Sequence, residues 1–412
     1  MDQRMDIETP AGRLAGHYDS RFAEVAEAFV ANFSERDEVG ASCAITVDGR
    51  AVVDLWGGRR ARNGAPWEQD TLCTVFSATK GAMALCAHML ADRGRLDLDA
   101  PVVDYWPEFG QGGKEDARVK MTLDHSVGVP HVRAPLPPGA FYDYDYMVDR
   151  VAAEPAFWVP GTRGGYHAIT MAWTVGELVH RAAGQRLGRF FDDEVARPLG
   201  LDFWIGAPAA VEARIATMLP AVPDEPWLAT RFVKAALGQE HNATWLFMRD
   251  FLLLDVNTPE CHQAEVGSAN GVTNARGLAG LYTPLALGGS RDQLRLVGAD
   301  TLARMGRVSM ASHDDATLLV PSRFALGYMK ATDNRRVPNT VNSSMILAEP
   351  AFGHVGAGGS IGFADPECQM GFGYAMNRMG TGILLNDRGQ SLVDAAYRAL
   401  GYRSNASGAW IN

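Results

Sequence analysis

The sequence predicts an α/β (α+β) chain: an antiparallel sheet flanked by N- and C-terminal helices, joined to a mostly helical second part. Three observations predict it. Residues 41–56 (ASCAITVDGRAVVDLW) alternate and break at Asp48-Gly49, a strong hairpin signal. Strand character returns only in the last third of the chain. Helical and Gly/Pro-rich segments fill the stretch between. Strands at both ends with helices between are accommodated most simply when the terminal strands share one sheet. The expected division is a discontinuous sheet domain from 1–95 and 275–412, and a helical domain over 96–274 carrying the cleft loops.

In chain order, residues 18–34 (with FAEVAEAFVANF) have the apolar spacing of an amphipathic helix. The hairpin of 41–56 follows. A helix over 78–92 ends at Gly94, and Asp97, Asp99 and Pro101 mark a turn into another short helix. Residues 107–165 are rich in Gly and Pro and hold short pieces. Helices are expected at 172–183 and 187–196, ended by Gly184 and by Pro198-Leu199-Gly200. Residues 207–270, with Trp227 and Trp245, read as irregular and suited to a lid or substrate-binding region. A helix over 276–287 ends at Gly288-Gly289. Strands are expected at Phe324–Met329, Gly358–Phe363 and Gly371–Met376, then a last helix over 389–400.

Composition narrows the function. Hydrophobic residues make up 47% and charged residues 21% of 412, enough for a large core. The net charge of −10 argues against nucleic acid, and no basic run suggests a membrane surface. No apolar stretch reaches the length of a membrane span. The polar N-terminus (MDQRMDIETPAGRLAG) has no apolar region of the kind a secretory signal needs. Cys43, Cys73, Cys86, Cys261 and Cys368 are odd in number and irregular in spacing, as expected of reduced thiols. Together these features predict a cytoplasmic protein. The ten histidines are scattered without ligand spacing, so neither a metal nor another cofactor is expected.

One motif carries chemistry. Ser77-Ala78-Thr79-Lys80 reads S-x-x-K and runs directly into an apolar helix. A serine and a lysine three apart on a helix share a face, about 5–6 Å apart at Cβ. A serine hydroxyl needs a base to become a nucleophile, and a buried lysine, its pKa lowered, can act as one. The same four residues would also serve as a helix cap with a solvated lysine. A second pattern, Gly358-Gly359-Ser360-Ile361-Gly362, matches the G-x-S-x-G nucleophile elbow. Chain order argues against it: there the triad histidine follows the serine, and the last histidine here is His354. A glycine-rich strand where backbone approaches closely is the better reading of Ser360.

With these pieces placed, the chain resembles the serine β-lactamase/penicillin-binding-protein superfamily, most closely class C β-lactamases and family VIII carboxylesterases. Four ordered blocks between about residues 20 and 400 carry the resemblance. DTLCTVFSATKGAMALCAHMLADRGRLDLDAPV looks like the nucleophile block, and MTLDHSVGVP is similar to the family's L-x-x-H-x-S-G-L-P segment. PGTRGGYHAITMAWTVGELV carries a tyrosine, and FGHVGAGGSIGFADP looks like the strand lining the cleft.

The resemblance implies a β-lactamase/transpeptidase-like fold and a set of roles. Ser77 would be acylated, with Lys80 as its proton partner. Tyr166 matches the tyrosine of the family's Y-x-N motif and would move protons between Ser77 and the leaving group. His354-Val355-Gly356 aligns with Lys-Thr-Gly, which makes the backbone N–H groups of Ser77 and Ala357 the oxyanion donors. His354, Gly356 and Gly358 would then contact substrate. Two positions depart from the pattern. Ala168 replaces the asparagine of Y-x-N, and His354 replaces the lysine that would grip a β-lactam carboxylate. Both departures point toward neutral esters. A satisfied polar residue under the sheet is the other reading of His354. Asp124-His125-Ser126 reads as structural, and His167 as pointing away from Tyr166.

The expected activity is therefore a serine carboxylesterase acting on small or medium neutral esters, with weak β-lactam hydrolysis. An acyltransferase using the same acyl-enzyme with an alcohol or amine acceptor stays open, as does a non-catalytic binding protein of the same fold. The expected partner is a small-molecule ester, with no nucleic acid and no membrane, and the sequence sets no oligomeric state.

Overall fold

The computed structural model describes residues 1–238 and 242–412. Ten strands form one antiparallel sheet. They are β1 (Gln3–Thr9), β2 (Gly12–Tyr18), β3 (Gly40–Val47), β4 (Arg50–Gly58), β5 (Met310–Ser312), β6 (Ser322–Phe324), β7 (Met329–Lys330), β8 (Phe352–Val355), β9 (Ile361–Asp365) and β10 (Met370–Met376). Their spatial order is β1-β2-β4-β3-β10-β9-β8-β7-β6-β5. N- and C-terminal strands therefore meet at β3 and β10, in register from Ala41 opposite Met376 to Val47 opposite Met370. The mixed architecture, with a large antiparallel sheet and flanking helices, is β-lactamase/transpeptidase-like. The β3–β4 hairpin turns at Asp48-Gly49, both with positive φ (50° and 75°), as the sequence predicts.

The helices that place the site are α1 (Ala23–Glu35), α2 (Lys80–Asp92), α3 (Met171–Ala183), α4 (Arg231–Ala236), α5 (Ala243–Leu252), α6 (Ala275–Ala286) and α7 (Asp387–Ala399). Alternation along β9 and β10 sorts them to opposite faces of the sheet. Gly373 faces α6, where a Cβ would come within 2.2 Å of the Ala275 carbonyl oxygen. Phe363 and Phe372 face the other way, stacked on each other at 4.9 Å, with Phe363 against Tyr397 of α7 at 6.2 Å. Helix α2 has no polar face: every residue from Lys80 to Leu90 is buried. Such a helix belongs in the interior, and this one carries the end of the S-x-x-K motif into the core.

Several elements differ from expectation. Residues 3–18 form the hairpin β1–β2, which the sequence reading did not assign. The first helix starts at Ala23, after a tight turn at Ser20–Phe22. The strand expected at 324–329 is two short strands, β6 and β7, joined at Ala325–Tyr328 with Gly327 at φ 86°. The strand expected from Gly358 begins at Ile361. Residues 356–360 are the β8–β9 turn, with Gly358 and Gly359 at φ 86° and 116°. The helix expected over 187–196 is α-helical only for Leu187–Phe191 and widens over Asp192–Ala196. Four short helices organise the stretch read as irregular: Glu225–Leu228, α4, α5 and Pro259–Gln263. Among the described residues, no helix is long and apolar enough to cross a membrane.

Candidate active site

Ser77 lies on a 3-10 turn, Phe76–Thr79, that leads into α2 at Lys80. The residue before it, Phe76, has φ +46°, an unusual value for a bulky side chain. Its neighbours hold it there. Thr79 Oγ1 donates to the Phe76 carbonyl (2.5 Å) and accepts from Gly271 N–H (2.8 Å), and the Val75 N–H reaches Gly271 O (2.9 Å). Such local strain persists where the surroundings over-determine it. The consequence is a partly exposed Ser77 above a fully buried Lys80.

Lys80 Nζ lies 3.1 Å from Ser77 Oγ. It also donates to the carbonyls of Ala168 (2.6 Å) and Ser268 (2.9 Å). Burial pushes its pKa well below the usual lysine value, and among the described residues no carboxylate forms an ion pair with it. A neutral amine has two N–H donors and one lone pair. The two carbonyls take the donors, which leaves the lone pair for the Ser77 proton. Ser268 does a second job, since its Oγ donates to Ile169 O (2.8 Å) and ties the 168–169 segment beside Lys80.

Tyr166 completes the group. Lys80 Nζ sits 4.9 Å from its ring centre, and the tyrosine lines the same cavity as Ser77. Burial raises the phenol's pKa above the usual tyrosine value, and the neighbouring Ser77 side chain offsets only part of the rise. The buried Asp315 carboxylate anchors the tyrosine backbone. Its Oδ1 accepts from the N–H of Tyr166 (3.0 Å), Thr317 (2.9 Å) and Leu318 (2.9 Å). The rings of His125 and Phe324 flank Tyr166 at 4.9 and 6.0 Å. His125 Nδ1 accepts from His167 N–H (3.1 Å), and Asp124 is bonded to both Ser126 and Ser309. His167 turns to other partners, with Nε2 accepting from Val129 N–H (3.0 Å) and Nδ1 against Gly165 O (2.7 Å).

The β8–β9 turn closes the other side. Gly356 N–H bonds Ser360 O (2.7 Å) and Gly359 N–H bonds Gly356 O (3.0 Å), so the Ala357 N–H takes no part in the turn's own bonds. Asn386, the cap of α7, donates to Gly358 O (2.7 Å) and holds the turn from behind. A Cβ at Gly356 would come within 2.1 Å of Val75 O, so only glycine allows this approach to the segment leading into Ser77. Ser360 is buried and donates to that same carbonyl (3.0 Å). Its hydroxyl is thus spent on bracing the turn.

His354 is also fully buried. Its Nδ1 pairs with Val355 O (2.7 Å), and its Nε2 has no hydrogen-bond partner. Burial holds its pKa at about 3, so the ring is neutral. Its ring centre lies 6.1 Å from that of Tyr166.

These elements open onto a cavity of about 390 Å³. Ser77, Tyr166, Gly356, Ala357 and Gly358 line it, and His354 and Lys80 do not. Among the described residues, no Asp, Glu, Lys, Arg or His side chain reaches its wall. The structure thus brings Ser77, Lys80 and Tyr166 together and sets the Ala357 turn beside Ser77, but leaves His354 beneath the surface. Sequence reasoning missed Ser268, Asp315 and Asn386. Asn386 carried a readable signal as a helix cap before Asp387, whereas Ser268 acts partly through a backbone carbonyl that no motif encodes.

A family model described as Beta-lactamase matches residues 22–396. The chain belongs to that family. It is 34% identical over 385 residues to the Esterase/beta-lactamase LipL of Mycobacterium tuberculosis, covering 91% of this chain and 85% of the relative. Among solved structures, a family VIII carboxylesterase superposes with a TM-score of 0.78 at 36% identity, covering 94% of this chain and 99% of the other. A penicillin-binding protein homologue from Caulobacter crescentus superposes with a TM-score of 0.80 at 31% identity, covering 94% and 99%. Family membership thus joins both an esterase and a penicillin-binding relative to one scaffold, and the choice between their chemistries rests on the site.

Proposed function

We propose that this chain is a serine carboxylesterase that cleaves neutral esters through an acyl-enzyme on Ser77. The observation that carries the reading is the Ser77–Lys80 contact at 3.1 Å beneath a cavity lined, among the described residues, by no charged side chain. The buried amine favours a neutral Lys80 that takes the serine proton as Oγ bonds the ester carbonyl carbon. The N–H groups of Ser77 and Ala357 receive the developing oxyanion, each donor contributing about 10²–10³ in rate. Tyr166, a neutral phenol, gives its proton to the departing alkoxide and is reprotonated from Lys80. Water then repeats the sequence. Its oxygen bonds the acyl carbon as its proton passes to Lys80, the bond from the acyl carbon to Ser77 Oγ breaks, and Tyr166 gives its proton to Oγ and is reprotonated from Lys80.

The esterase relatives support this reading, and the wall supports neutral substrates over β-lactams, whose carboxylate would find no cation among the described lining residues. Replacing Ser77 by Ala tests it. Turnover of short-chain p-nitrophenyl esters is expected to disappear, with the overall fold unchanged by circular dichroism. Retained turnover in Ser77→Ala overturns the assignment.

A further inference from the structure

We infer that one half of the ester is an extended apolar chain, held along a run of aromatic rings that leads from Phe76 to Trp227. This rests on the esterase reading and deepens it to a substrate class.

The run begins beside the nucleophile. Phe76 stacks on Phe251 (5.9 Å), Phe251 on Phe247 (6.3 Å), Phe247 meets Phe232 edge-on (5.5 Å), and Phe232 lies against Trp227 (5.8 Å). All five rings line the same cavity as Ser77. Three of them are carried by α4 (Phe232) and α5 (Phe247 and Phe251), so one small helical unit walls this side of the cavity. The polar side chains among the described lining residues are few: Ser77 and Tyr166 at the reacting end, Thr381, and the indole of Trp227. A polar or charged substituent would lose its hydration there with nothing in return. An apolar chain gains from every methylene removed from water.

The mouth continues the pattern. Leu252, which lines the cavity, is 75% exposed, and Val222, between the lining residues Ala221 and Pro223, is 67% exposed. Leu228 and Leu237 are exposed on the same segment. Half of the large exposed apolar side chains among the described residues, four of eight, thus fall between 222 and 252. A chain longer than the cavity would leave it across apolar surface.

The test is a pair of ester series measured below their aggregation concentrations. One varies the acyl chain from acetyl to decanoyl on p-nitrophenol, and the other varies the alcohol from ethyl to octyl on acetate. In one of the two series kcat/KM is expected to rise about fourfold per methylene before levelling, which is the worth of a buried methylene. Leu252→Asp, at an exposed position where folding is not at risk, is expected to flatten that rise. Phe247→Ala is expected to lower the ratio of longest to shortest substrate by tenfold or more. Acetyl and ethyl being the best substrates in both series would overturn the inference, as would a slope unchanged in both variants. Good turnover without length preference leaves the esterase reading standing and removes only the chain. Absence of turnover on every ester removes both.

Discussion

Replacing Tyr166 by Phe separates two roles that the site's geometry otherwise leaves merged. The phenol lines the same cavity as Ser77 and lies under the Lys80 amine, 4.9 Å from Nζ to the ring centre. Burial raises its pKa while lowering that of Lys80, and in the proposed mechanism the amine is the base and the phenol the acid. Loss of the phenol's contact with Ser77 alone is worth about 1 kcal/mol, roughly fivefold in rate, for any ester. Loss of a general acid costs a further 10²–10⁴, or about 3–5 kcal/mol, but only where the leaving group needs a proton. p-Nitrophenolate departs without one, whereas an ethoxide does not. Tyr166→Phe is therefore expected to lose about fivefold on p-nitrophenyl butyrate and at least about 500-fold on ethyl butyrate. The assay is kcat/KM for both esters, followed by nitrophenolate absorbance and by acid release. Equal losses of 10³ or more on both substrates would refute the assignment and make Tyr166 the base that activates Ser77.

Three further outcomes follow from the same geometry. Ser360→Ala removes the 3.0 Å bond to Val75 O and is expected to cost about 1 kcal/mol of stability by denaturant titration and less than tenfold in kcat/KM; a loss of 10⁴ would identify Ser360 as the nucleophile. Because the Lys80 pKa is lowered by burial and its neutral form is the base, kcat/KM is expected to rise with pH along a single-proton limb centred well below 10.5 and then level; activity that falls as pH rises through this region would contradict a neutral Lys80. Nitrocefin is expected to turn over about 10- to 150-fold more slowly than a good neutral ester, since a charge-assisted bond of about 1.5–3 kcal/mol is missing where His354 stays neutral and buried; parity between the two would contradict the reading of the uncharged wall.

Much of the framework was legible because it rests on short-range chemistry. Asp48-Gly49 specifies its hairpin through two positive φ values, and the apolar run after Lys80 specifies an interior helix. Pairing of β3 with β10 followed from the placement of strands near both ends. What was missed depended on context. Residues 3–18 lack an apolar alternation because β1 is an edge strand, mostly exposed along its length. The strand expected at 324–329 folds back at Gly327, and the glycines of 356–360 make a tight turn against Val75 in place of a strand. The helices in the stretch read as irregular did carry start signals. Asp224, Thr230, Asn242 and Thr258 each cap one, with Pro226 and Pro259 at the first turns. Their shortness hid the periodicity. At the site, Ser77, Lys80 and Tyr166 were readable as side chains in ordered motifs. The carbonyls of Ala168 and Ser268 that hold the Lys80 amine were not, because any residue supplies a carbonyl.

Trapping the covalent intermediate tests Ser77 most directly. The protein is mixed with a fluorophosphonate and, separately, quenched in acid during turnover of a slow ester, and each sample is digested and sequenced by mass spectrometry. The expected result is a single phosphonyl or acyl adduct on Ser77, lost in Ser77→Ala and much slower to form in Lys80→Met. An adduct on Ser360, or no adduct while esters are being hydrolysed, would contradict a nucleophile at the Ser77–Lys80 contact.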